Sequence, residues 1–131
     1  MSVLFSNDTR WLHAEGWRHV PRLVHGFSRR ITDREVMLSQ LGASALRLHT
    51  LRQIHGDEIV IINSSTPVTL TDERPEADGL VAADCGVLLG IATADCVPIL
   101  MVDPQQEIVA AQARGHAVRR PNCRSCGDAQ Q

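Results

Sequence analysis

The hydrophobic and polar positions of the chain fall into short runs of two periods. "ITDREVMLSQLG" (31–42) places Val36, Met37 and Leu41 at helical spacing. Thr32 and Glu35 stand ahead of them in a capping-box arrangement, and Gly42 follows. This predicts one amphipathic helix that stops at the glycine. "LRLHTLRQI" (46–54) alternates apolar and polar residues, the signature of a half-buried strand. "HGDE" supplies a turn and "IVIIN" (59–63) a second strand, so a hairpin is expected over 46–63.

The apolar runs "GVLLGIATA" (86–94) and "VPILMV" (97–102) are too short for buried helices and are bounded by Gly, Asp and Pro. They predict buried strands. "RLVHGFS" (22–28) reads as a short strand, "DPQQ" (103–106) as a turn, and "EIVAAQA" (107–113) as a further strand. "SSTPVTLTDERPEADG" (64–79) has the composition of a loop. The expected fold class is α+β, a mixed and largely buried β-sheet with flanking helices. After Ala113 the pattern is lost. "RGHAVRRPNCRSCGDAQQ" has almost no apolar periodicity, so 1–113 is expected to form the folded portion and 114–131 a disordered tail.

Composition narrows the classes. With 131 residues and 44% hydrophobic content the chain suits one domain with a real core. The formal net charge of −2 gives no bulk attraction for nucleic acid or an anionic membrane, and aromatic residues are too few, at 3%, for base-stacking surfaces. No apolar run has the length of a membrane span, and "MSVLFSNDTRW" is not a secretory leader, which predicts a cytoplasmic protein. Phosphate-loop, dinucleotide-binding and nucleophile-elbow motifs are absent from the sequence.

Chemistry concentrates in a few places. Asp95 and Cys96 interrupt the most apolar stretch, "GIATADCVPILMVDP" (90–104). A thiol there is either a small buried hydrophobe or, as thiolate, a metal ligand or nucleophile. His55, in "RQIHGDE", is a surface turn residue or an accessible imidazole donor. Asp78, in "EADGLV", reads first as the opening residue of an Asp-Gly turn, and His25, in "HGFS", reads first as turn chemistry too. Cys123 and Cys126 form a single C-x-x-C pair with no second pair to complete a structural zinc site.

Four segments, "HGFSRR" (25–30), "LRQIHGDEIV" (51–60), "EADGLVA" (76–82) and "GVLLGIATADCVPILMVDP" (86–104), together resemble the laccase-domain proteins long called multicopper polyphenol oxidases. That family is now understood as zinc-dependent purine nucleoside phosphorylases with adenosine deaminase activity. The resemblance implies zinc, with copper as the alternative, held by His55 and Cys96. The family's third ligand lies in an "H-A-G-W-R-G" block after a strand like "EIVAA". Here the sequence reads "EIVAAQARGHAVRR", and His116 is the candidate replacement. A frameshift near Ala111–Gln112 or a mispredicted gene end is the simplest account of that departure.

The resemblance further implies a purine nucleoside and phosphate as partners, Asp95 as a catalytic group beside the metal, and Arg30 or Arg52 as phosphate-binding residues. It also implies uncovered sheet edges that favour self-association. Two other readings use the same residues. One is a metal-binding or redox module built on Cys96, Cys123 and Cys126. The other is a thiol hydrolase with Cys96 as nucleophile and His55 as base.

Overall fold

The structure is a computed structural model that describes residues 3–5, 11–28, 33–69, 72–93 and 97–114. The chain divides into two compact units, Met1–Leu46 and Arg47–Gln131.

In the first unit, β1 (Val3–Phe5), β2 (Trp11–Ala14) and β3 (Phe27–Ser28) form an antiparallel sheet in the order β1-β2-β3. A 3₁₀ turn, Glu15–Trp17, follows β2. Trp11 and Ala14 are buried. The expected strand over 22–28 therefore shrinks to two residues, preceded by a turn in which Arg22 takes φ 60°.

Helix α1 runs over Arg34–Gln40. Its cap is Asp33 instead of the expected Thr32. The Asp33 carboxylate accepts the N–H groups of Glu35 at 2.9 Å and Val36 at 3.1 Å, which two of the four orphan donors of a helix start require. Thr32 itself lies outside the described residues. The helix ends as the glycine predicted. Gly42 adopts φ 71°, its N–H donates to Ser39 O, and the N–H of the buried Ala43 donates to Leu38 O. That pair of bonds is a Schellman closure. Val36 is exposed, so the apolar face is narrower than the spacing suggested.

The second unit holds two sheets. Strands β4 (Arg47–Thr50) and β7 (Val87–Gly90) pair in parallel. Strands β5 (Ile59–Ile62), β6 (Gly79–Ala82), β8 (Val97–Asp103) and β9 (Ile108–Arg114) form a four-stranded sheet in the order β5-β6-β9-β8. In it β5 and β6 run parallel, and β9 is antiparallel to both β6 and β8.

The hairpin expected over 46–63 does not form. β4 and β5 each take a parallel partner further along the chain, and the segment between them is held by side chains instead of a tight turn. Alternation marks a strand's faces but carries no information about which strand lies beside it.

Leu51, Ile62, Ala77, Leu80 and Ala82 make the core of this unit, and Val60, Val87, Leu89, Ile91 and Val109 pack against it. The apolar run of β8 is half-buried instead of buried, with Val97 exposed, because β8 is the edge of its sheet. An edge also tolerates Pro98, which lacks a ladder donor. The turn between β8 and β9 is set by Asp103, whose carboxylate accepts the N–H groups of Gln105 and Gln106. Mixed sheets with one α-helix among the described residues agree with the α+β class read from the pattern.

Candidate functional site

The registers of the four-stranded sheet bring separate sequence blocks to one end of it. Ile59 pairs with Gly79, Gly79 with Gln112, and Gln112 with Ile99, which makes one row across all four strands. Just beyond that row lie the segment 55–58 ahead of β5, Asp78 ahead of β6, Ala113 and Arg114 at the end of β9, and Val97 at the start of β8. Val97 is paired with Arg114. Cys96 immediately precedes Val97, and His116 follows Arg114 by two residues.

Asp78 organises this end. It is 1% exposed, one of the most deeply buried side chains of the chain. Its Oδ1 accepts the N–H of Ile54 at 3.1 Å and of His55 at 3.0 Å, and its Oδ2 accepts the N–H of Gly56 at 2.6 Å. A buried carboxylate needs such donors to offset its lost hydration. The backbone of Asp78 ties in the segment ahead of β5 and the end of β9, donating to Glu58 O at 3.0 Å and accepting from the Ala113 N–H at 2.9 Å. The Asp-Gly turn reading of Asp78 gave no hint of this role, because its partners lie more than twenty residues upstream.

The three bonds bend the chain sharply at His55, which takes φ 58°. A residue with a Cβ is disfavoured in that left-handed region, and glycine is the usual occupant. Here the next residue is glycine, and the imidazole sits at the strained position, exposed to solvent.

Gln53 fixes the same turn from another side. Its Nε2 donates to Ala92 O at 2.7 Å, and its Oε1 accepts the Ala92 N–H at 2.9 Å. Arg52 is bridged through its backbone to Pro75 and Ala77, and its guanidinium pairs with Glu76 at 3.2 Å on the exposed surface. Of the residues expected at the site, His55 and Arg52 are thus described. Arg30, Asp95, Cys96 and His116 lie outside the described residues, as do Cys123 and Cys126. Among the described residues there is no cluster of three or more His, Cys, Asp or Glu that would hold a metal.

His25 lies in the first unit and His49 on β4 of the second. The His25 Nε2 accepts the Ala14 N–H at 3.0 Å and its ring lies edge-on to Trp17 and His13. Burial lowers its pKa, opposed by the Ala14 carbonyl 3.3 Å from Nε2, which accepts from the protonated ring, while His13 and Arg18 add to the lowering. His49 is 5% exposed on β4 with an unpartnered Nε2, and burial, aided by Arg47, lowers its pKa.

A profile of the multi-copper polyphenol oxidoreductase laccase family matches residues 29–125. The chain belongs to this family. Among curated proteins it is 33% identical, over 86 residues, to a purine nucleoside phosphorylase of Streptomyces coelicolor. That match covers 63% of this chain and 33% of the relative. It is 36% identical over 91 residues to an adenosine deaminase from an unknown prokaryotic organism, covering 66% of this chain and 35% of that one. The crystal structure of the Bacillus licheniformis protein YfiH shares its fold with this chain at a TM-score of 0.66 and 19% identity, over 86% of this chain and 52% of that one. The family resemblance carried by the four sequence blocks is thereby borne out. The chain spans about a third of the length of the curated relatives it matches. Among the described residues no helix is long and apolar enough to cross a membrane.

Proposed function

We propose that the chain carries part of the site of a zinc-dependent purine nucleoside phosphorylase, with His55 and Cys96 as metal ligands and His116 as the third. The observation that carries this reading is the strained, Asp78-held His55 turn at the sheet end where the neighbours of Cys96 and His116 are paired. The donor set fits: imidazole and thiolate suit zinc, and copper as well. Zinc held there would supply Lewis acidity toward phosphate or water.

The protein's own groups divide the remaining work. Asp95, next to Cys96 in sequence, would hydrogen-bond a ligand or substrate. Arg52 presents a planar fork suited to phosphate. Its exposed pairing with Glu76 is worth at most about 1 kcal/mol, so the guanidinium can exchange Glu76 for phosphate at little cost. Arg30 is the second candidate for that role. In phosphorolysis, phosphate adds to the sugar carbon as the purine leaves. In deamination, the reaction named for one relative, water adds instead to the purine ring carbon that bears the amino group, and ammonia leaves.

The test is metal analysis with a phosphate-dependence assay. The wild-type chain is expected to bind zinc weakly and to release free base from adenosine or inosine only when phosphate is present, at a low rate. His55→Ala and Cys96→Ala should each reduce zinc binding at least about tenfold. Unchanged zinc content in Cys96→Ala would overturn the proposal, and phosphate-independent production of inosine would favour the deaminase reading.

A further inference from the structure

Segment 52–56 is tied to its surroundings at three places, and the three ties differ in what they reach. The Arg52 backbone meets Pro75 and Ala77, and the Asp78 carboxylate holds the N–H groups of Ile54, His55 and Gly56. Both of these ties run to the loop ahead of β6. The Gln53 carboxamide runs elsewhere, to Ala92, 39 residues on and four residues before Cys96.

The Gln53–Ala92 contact uses both functions of the side chain on both functions of one residue. The amide nitrogen donates to Ala92 O while the amide oxygen accepts the Ala92 N–H. The carboxamide therefore stands where a neighbouring strand's peptide group would stand in a ladder. Two bonds to one residue fix both a distance and an orientation, as a single bond does not. Ile91, the preceding residue, packs against the core of the unit, so the clamped segment is itself anchored.

We infer that Gln53 is a positioning residue that sets the separation between the His55 turn and the chain leading into Asp95 and Cys96. This inference rests on the zinc reading above and deepens it. Ligands on separate segments bind a metal well only if their separation is fixed beforehand, and loss of a residue that orients ligands typically lowers metal affinity about 10–100-fold. Gln53 makes no claim on the metal. It acts through backbone.

The test compares Gln53→Met and Gln53→Glu with wild type and His55→Ala in the full 131-residue chain. Met keeps the length without either hydrogen-bonding group; ionised Glu keeps the acceptor and loses the donor. Zinc affinity is measured by competition with a chromophoric chelator, and amide hydrogen exchange is followed at Ala92. Both Gln53 variants are expected to keep the wild-type circular dichroism spectrum. Each should lose zinc affinity at least about tenfold and exchange the Ala92 amide faster. If His55→Ala loses zinc but Gln53→Met binds zinc as wild type does, the inference is overturned while the zinc reading stands. Equal zinc binding by wild type and His55→Ala overturns both.

Discussion

Asp78 and His55 are 23 residues apart in sequence, and the Asp78 carboxylate accepts the His55 backbone N–H at 3.0 Å. The same carboxylate takes the N–H groups on either side, so one buried side chain specifies the path of a whole turn. Hydrogen bonds to a charged group contribute about 1.5–3 kcal/mol each, but residues 54–56 are exposed and water can partly replace the acceptor. Asp78→Ala is therefore expected to destabilise the protein by about 3 kcal/mol, less than the three bonds would sum to. Urea unfolding is the measurement: the midpoint should fall with an unchanged slope, and a loss below about 1 kcal/mol would show that the carboxylate is not what holds the turn.

His55 itself makes the opposite prediction. Its left-handed backbone costs about 1–2 kcal/mol for an ordinary residue, somewhat less for histidine. Glycine removes that strain but adds about 0.5–1 kcal/mol of unfolded-chain entropy. His55→Gly should therefore unfold at the wild-type urea concentration or slightly above it while losing zinc binding. A drop of more than about 1 kcal/mol would show that the imidazole serves the fold.

What the sequence disclosed follows from the range of each interaction. The end of α1 was legible because Gly42 and its two capping bonds lie within five residues. The start lies one residue later than the capping-box pattern of Thr32 and Glu35 indicates, because Asp33 is also an N-cap residue type and only geometry distinguishes the two. Strands β7, β8 and β9 showed in their apolar runs, whereas the parallel pairings of β4 and β5 did not, since pairing is settled by segments tens of residues away. The exposed turn position of His55 was legible from its block. The roles of Asp78 and Gln53 were not, because each is defined by a partner more than twenty residues distant.

Asp33 offers a check on the first unit. An N-cap acid replaced by alanine typically costs about 1 kcal/mol. With only seven residues, α1 is too short to hold without such help. Asp33→Ala should raise amide exchange across residues 34–40 severalfold and leave the amides of β6 and β9 unchanged. Equal loss of protection in β6 and β9 would contradict a local role for the cap.

Half-buried His25 and buried His49 are expected to shape the acid response. Their folded-state pKa values lie below the usual 6.5, for both chiefly through burial. The unfolded chain then takes up protons first as pH falls below about 6.5, so stability is retained above that value and lost on acidification toward the folded values. At His25 protonation removes the acceptor that the Ala14 N–H uses and gives the ring a donor for the Ala14 carbonyl. At His49 no partner waits at Nε2, so the imidazole can be removed without stranding a donor or acceptor there. His49→Leu is expected to keep its stability at pH 7.5 and to lose less than wild type between pH 7 and 5.5, read from urea midpoints at each pH. An unchanged slope in that variant would place the acid sensitivity elsewhere, and NMR titration of the His25 ring would then show whether it carries the effect alone.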